Sequence, residues 1–236
     1  IFAGIIFMMV GVWRLPQSVH QGGTFTVLGS GIVLMTVYAA RLLYDFFTPT
    51  TALLTMFMSI ALVAFVAVRA RSQSLAIVGL LMGAVTPLLT NTPEPSTMGL
   101  FAYLAVLVLG SLWVMFKIKA EALLLVALGI VFFYGAPYME MGVEAESLLA
   151  LLWSFGFTLV FFLGSLVSLL QRSTTTAEGV QIVTAAGTGL YLASWIATTS
   201  PAAWQAPLYA IWMVVFAMGA FLVFRATQDR VPFYIY

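Results

Sequence analysis

The chain has no cysteine and a single histidine among its 236 residues. Without cysteine there are no disulfides, no thiolate metal sites and no cysteine nucleophile. The lone His20 cannot supply both axial ligands of a bis-histidine haem. A zinc site would lack its usual nitrogen and sulfur donors. His20 therefore reads as a solvated residue of a loop. Charge is also scarce. Asp, Glu, Lys and Arg make up 7% of the chain, against about 25% in a soluble domain. The net charge of +1 carries no nucleic-acid signature. Walker A, GxSxG and HExxH motifs are missing. No acid stands alone in the middle of an apolar segment, as it does in many proton-coupled carriers. No cofactor, no metal and no nucleic-acid partner is expected.

What remains is apolar. Hydrophobic residues make up 63% of the chain, and its mean hydropathy is +1.10. A water-soluble fold could not hide that much apolar surface, because most of its exterior faces water. Lipid removes the difficulty, and helices follow because each backbone polar group must be satisfied within its own segment. A β-barrel would alternate apolar and polar residues over roughly ten positions. Here the apolar runs are continuous and long enough for helices to cross a bilayer. The expected fold is all-α, a polytopic transmembrane helical bundle whose main partner is the lipid bilayer.

Nine spans are predicted, at 1–13, 23–45, 49–68, 73–89, 98–116, 120–139, 146–170, 178–198 and 203–225. They form a single transmembrane region over 1–236. Thr48 followed by Pro49 is a helix cap with proline at the first helical position. Ser72 is placed to cap the fourth span. The run Asn91-Thr92-Pro93-Glu94-Pro95-Ser96 cannot continue a helix, because its prolines remove donors and restrict their neighbours. The chain opens at Ile1 inside an apolar run and ends in Val231-Pro232-Phe233-Tyr234-Ile235-Tyr236, which reads as the start of another segment. It is expected to be an internal piece of a longer protein.

Basic residues alternate from loop to loop. Arg14, Arg69, Arg71, Lys117, Lys119, Arg172, Arg225 and Arg230 fall on one set of connections, and only Arg41 leans to the other. By the positive-inside rule, loops 14–22, 69–72, 117–119, 171–177 and 225–230 are cytoplasmic. Loops 45–49, 90–97, 140–145 and 199–202 then face outward, with Asp45, Glu94, Glu140 and Glu144 on them and Glu146 nearby. Trp13, Tyr44, Phe46, Phe47, Tyr138 and Trp204 sit near segment ends, as interfacial anchors do. Trp113, Trp153 and Trp195 do not all fit that description, and some are expected between helices.

Several residues invite a functional reading beside a plain one. Arg41 and Asp45 are four apart and would share one helix face, as a local ion pair or as a ligand or partner contact. Thr86 and Pro87 come late in the fourth span. Proline there ends the helix, or breaks it as in transporter binding sites. Pro137 reads the same way. The outer glutamates read as solvated, or as the acidic residues that polytopic glycosyltransferases use. Small residues recur at four-residue spacing: Gly79 and Gly83, Gly164 and Ser168, and Ala185, Gly189, Ala193 and Ala197. Such spacing lets helices approach closely in lipid, within the chain or in an oligomer contact. The mid-span hydroxyls Ser30, Thr36, Ser59, Thr158, Thr184 and Thr188 are expected to bond to their own helix or to a neighbour. Gln181 is the one amide among them.

The run Gly29-Ser30-Gly31-Ile32-Val33-Leu34, with Tyr38-Ala39-Ala40-Arg41-Leu42-Leu43-Tyr44, resembles a stretch of a large bacterial membrane protein family, domain of unknown function 2339. The block from Ser74 to Gly83, then Thr86-Pro87-Leu88-Leu89, and the run Leu100-Phe101-Ala102-Tyr103-Leu104 extend the resemblance over about 20–140. It implies a long multi-pass protein of a bacterial inner membrane and brings no catalytic residues with it. The function expected is a non-enzymatic scaffold or accessory subunit of a membrane or envelope assembly, with other subunits or a second copy as partners. A transporter or lipid/glycan flippase, and a polytopic glycosyltransferase, are the alternatives.

Overall fold

The computed structural model describes residues 1–90, 97–140, 145–170 and 175–227. Among these residues the chain forms α-helices and no strand: α1 (Phe2–Arg14), α2 (Val19–Tyr44), α3 (Pro49–Ala70), α4 (Gln73–Leu89), α5 (Thr97–Ile118), α6 (Ala122–Glu140), α7 (Ala145–Leu170), α8 (Thr175–Thr199) and α9 (Ala202–Thr227). Each predicted span coincides with one helix. Seven are long and apolar enough to cross a membrane, and α1 and α4 are shorter apolar helices. The predicted turn at 91–96, with Glu94, and residues Glu144, Arg172 and Arg230 lie outside the described residues. So does the side chain of Glu146.

The helix starts follow their caps. The hydroxyls of Ser18, Thr48 and Ser72 accept the backbone N–H of Gln21, Thr51 and Leu75, each satisfying one orphan donor of the first turn. The Ser18 cap sets α2 four residues earlier than the apolar pattern suggests. His20 is therefore in the first turn of α2, exposed, rather than in a loop. Two helix exits use a left-handed residue that is not glycine. At Asp45 the φ is 51°, and the N–H of Phe46 reaches back to Ala40 O. At Arg71 the φ is 48°, and the N–H of Ser72 reaches Ala67 O. Lys119 has the same backbone sense, with φ 55°. The first two turns close carbonyls that their helices leave open.

The chain divides into two compact units. One comprises Ile1–Ser96 with Leu109–Leu123, the other Thr97–Val108 with Leu124–Tyr236. In the first, α2 is the hub and touches α1, α3 and α4. Its core includes Val37 of α2, Ala52, Met56 and Val63 of α3, and Leu80 of α4. In the second, α7 packs on α8 and both meet α9. Its largest fully buried side chains are Trp195, Tyr191, Phe101 and Phe161. Trp195 is thus a helix-packing residue, whereas Trp113 is half exposed.

Candidate functional site

In the first unit, the polar groups flagged by sequence come together at the end of α4. Thr86 is fully buried, and its hydroxyl donates to Met82 O at 3.2 Å. Pro87 lies inside α4, which continues past it to Leu89. Thr90 closes the end, its hydroxyl donating to the Thr86 and Pro87 carbonyls at 3.2 and 3.3 Å. The Arg41 guanidinium comes from α2 and donates to Thr90 O. A cation there also meets the negative end of the α4 dipole.

The local Arg41–Asp45 ion pair, one of the two readings offered by the sequence, is not among the contacts of the described residues. The rule of four requires both residues to be helical, and α2 ends at Tyr44. At Asp45 the backbone turns left-handed, and its side chain is exposed. Arg41 of α2 and the end of α4 from Thr86 to Thr90 thus belong to one interhelical clasp. The clasp ties α2 to the end of α4.

A second polar point lies deeper in the same unit. The Ser30 and Ser59 hydroxyls are 2.8 Å apart, between α2 and α3. Ser59 Oγ also lies 3.7 Å from Met8 Sδ of α1. Most other mid-span hydroxyls bond back to their own helix, as Thr36, Thr158, Thr184 and Thr188 do. That use satisfies the hydroxyl without a ligand.

The second unit holds an aromatic cluster. Phe101 makes ring contacts with Tyr138, Phe157 and Trp195, at centroid separations of 5.2, 6.2 and 6.4 Å. Tyr191 stands one turn before Trp195 and meets Phe132 at 6.0 Å. The Tyr191 hydroxyl and the Trp195 N–H are buried beside each other, with no other hydrogen-bond partner among the described residues. Gln181 Nε2 donates to Ser168 Oγ at 3.1 Å and ties α8 to α7, while its Oε1 is buried without a partner among the described residues. Among the described residues, no three His, Cys, Asp or Glu side chains gather as a metal site.

The profile of a family of predicted membrane proteins, DUF2339, matches residues 1–233. The chain belongs to this family. No curated protein and no solved structure matches it.

The DUF2339 chain uses its small residues unevenly. A Cβ on Gly79 would meet Val63 Cγ1 of α3 at 3.0 Å, so this glycine does sit at a close helix contact. Gly83 and Gly164 are buried. Ala185 is buried and Ala193 half-buried, and the Ala193 carbonyl accepts the Tyr209 hydroxyl of α9 at 3.0 Å. Gly189, however, faces open space. The close approach on α8 is at Gly187, where a Cβ would lie 2.9 Å from Leu128 Cδ2 of α6. Glu140 is the last, exposed residue of α6 rather than a loop residue.

The tightest seam of the DUF2339 chain is one that the four-residue rule does not find. Gly4 and Gly11 of α1 face Gly29 and Gly22 of α2. A Cβ on Gly11 would come within 2.7 Å of Gly22 O and of Thr26 N. A Cβ on Gly29 would come within 2.6 Å of Gly4 O. The signal in the sequence is spacing by seven, Gly4 to Gly11 and Gly22 to Gly29. That is two turns on each helix.

Proposed function

We propose that the chain is a non-enzymatic multi-pass scaffold or accessory subunit of a bacterial inner-membrane assembly, and that its α9 flank receives another membrane-spanning subunit. The observation that carries this reading is α9 itself. Only 17% of its most apolar window is buried, against 33–56% for the other long helices. Ile211, Met213, Met218 and Phe221 are all exposed on it. The use of Arg41 and most buried hydroxyls in internal bonds supports the same reading. A photo-crosslinking residue at Met213 or Met218, in the full chain in its native membrane, is expected to give one discrete protein adduct, either another subunit or a second copy. The same residue at buried Val223 is the control. Adducts to lipid alone from both exposed positions would overturn the proposal.

A carrier or flippase is the second reading. It is favoured by the Gln181 side-chain oxygen of the second unit, buried without a partner among the described residues.

The proposed orientation puts the Arg- and Lys-bearing connections in the cytoplasm. The chain is naturally free of cysteine, so single cysteines report without background. A cysteine at exposed Gln17 and one at exposed Phe46 are expected to react with a membrane-impermeant maleimide from opposite sides, Phe46 from outside. Labelling of both from one side would sink the topology.

A further inference from the structure

Strong packing of α1 onto α2 leaves a furrow between α1 and α3. It is about 600 Å³, room for on the order of twenty water-sized groups. Its walls are Met8, Met9 and Trp13 of α1 and Met58, Ser59 and Leu62 of α3. They are almost wholly apolar, and the Ser59 hydroxyl is already engaged with Ser30 and Met8. Unbranched methionine adapts to a flexible apolar occupant. Trp13 marks one end of the furrow, and the Arg14 guanidinium lies 5.9 Å from the centre of its ring. Arg14 is exposed and has no carboxylate partner among the described residues. Both α1 and α3 run against α2, so Arg69 in the last turn of α3 lies at the same end.

A long apolar trough that ends at an unpaired cation matches an amphiphile with an anionic head. We propose that the α1–α3 furrow binds an anionic phospholipid. An acyl chain lies along the methionines, and a phosphate oxygen accepts from the Arg14 guanidinium stacked on Trp13. Arg suits a phosphate because its fork donates through two parallel N–H groups. Trp13 fits the level where apolar and polar lipid meet. The site is independent of the α9 flank, and either proposal stands if the other fails.

The test is native mass spectrometry of the full chain, extracted in mild detergent and offered phosphatidylglycerol or phosphatidylcholine in equal amount. One phosphatidylglycerol is expected to be retained in preference to phosphatidylcholine. Arg14→Gln is expected to lower that preference by about tenfold, the worth of one charge-assisted hydrogen bond, and Arg14→Lys to restore part of it. Met58→Trp, which fills the trough, is expected to lower retention of both lipids. Thermal melting of each variant shows that the fold is kept, and Arg14 is exposed enough for that control to pass. Equal retention of the two lipids by the unaltered chain would overturn the proposal, as would a preference that survives Arg14→Gln. A protein cross-link from Met9 or Met58 would also overturn it, by showing a polypeptide in the trough.

Discussion

Leucine in place of Gly11 or Gly29 forces α1 away from α2 and is expected to abolish stable folding of the first unit. The obstacle is backbone. Gly22 O, Thr26 N and Gly4 O lie within 2.7 Å of where the new Cβ would be, and none of these atoms belongs to a rotatable side chain. Thr26 adds rigidity, since its hydroxyl donates to Gly22 O at 2.8 Å. Overpacking a dense core typically costs about 1–3 kcal/mol. Alanine at either position is expected to reach the upper part of that range, and leucine to exceed it. Two substitutions serve as contrasts. Gly23→Ala meets only Leu75 methyl groups at 3.6 Å or more, and Gly189→Ala meets nothing. Both are expected to stay within about 0.5 kcal/mol of the parent. Unfolding of the purified chain in mixed detergent micelles measures all six. Equal stability of Gly11→Ala and Gly189→Ala would refute the seam.

Loss of the Arg41 clasp is the second large effect expected. Arg41→Met keeps much of the side-chain volume but leaves Thr90 O without its guanidinium donor. Hydrogen bonds to charged groups contribute about 1.5–3 kcal/mol, and that is the destabilisation expected. It should be local. Hydrogen exchange is expected to quicken in the last turn of α4, around Thr86 to Thr90, and little elsewhere. Arg41→Lys keeps the charge but loses the fork, and should fall between the two. Asp45→Asn should change nothing, because that carboxylate lies outside the clasp. If Asp45→Asn is as damaging as Arg41→Met, the two residues act together after all and the clasp is misassigned.

The comparison of Arg41 with Asp45 shows where sequence reading reaches its limit. Placing the helices needed only apolar runs and capping hydroxyls, and Thr48 and Ser72 cap as their positions imply. The partner of Arg41 is 49 positions away along the chain. Spacing within one helix carries no information at that range. The α2 exit adds a local trap, because a left-handed residue that is not glycine gives little warning in the sequence. The glycines teach a related lesson. A stripe at four-residue spacing marks a possible close face, but which neighbour covers it is a tertiary matter. On α8 the close approach falls at Gly187, just off the stripe, and Gly189 is left open. The seven-residue glycine spacings of α1 and α2 were readable, had the two helices been considered as a facing pair. Nothing in the sequence singles out Tyr191, whose ring meets Phe132 of α6 and Trp195 of its own helix.

Asp45, Arg71 and Lys119 occupy the backbone geometry in which glycine is most at ease. A side chain in that geometry costs roughly 1–2 kcal/mol, so each of these exits keeps a charge at a local backbone penalty. Two of the charges are positive and belong to the connections rich in Arg and Lys. The third is negative and belongs to the opposite set. Glycine would relax each turn but would remove the charge it carries, so a glycine variant trades a side chain at the helix end for an easier backbone.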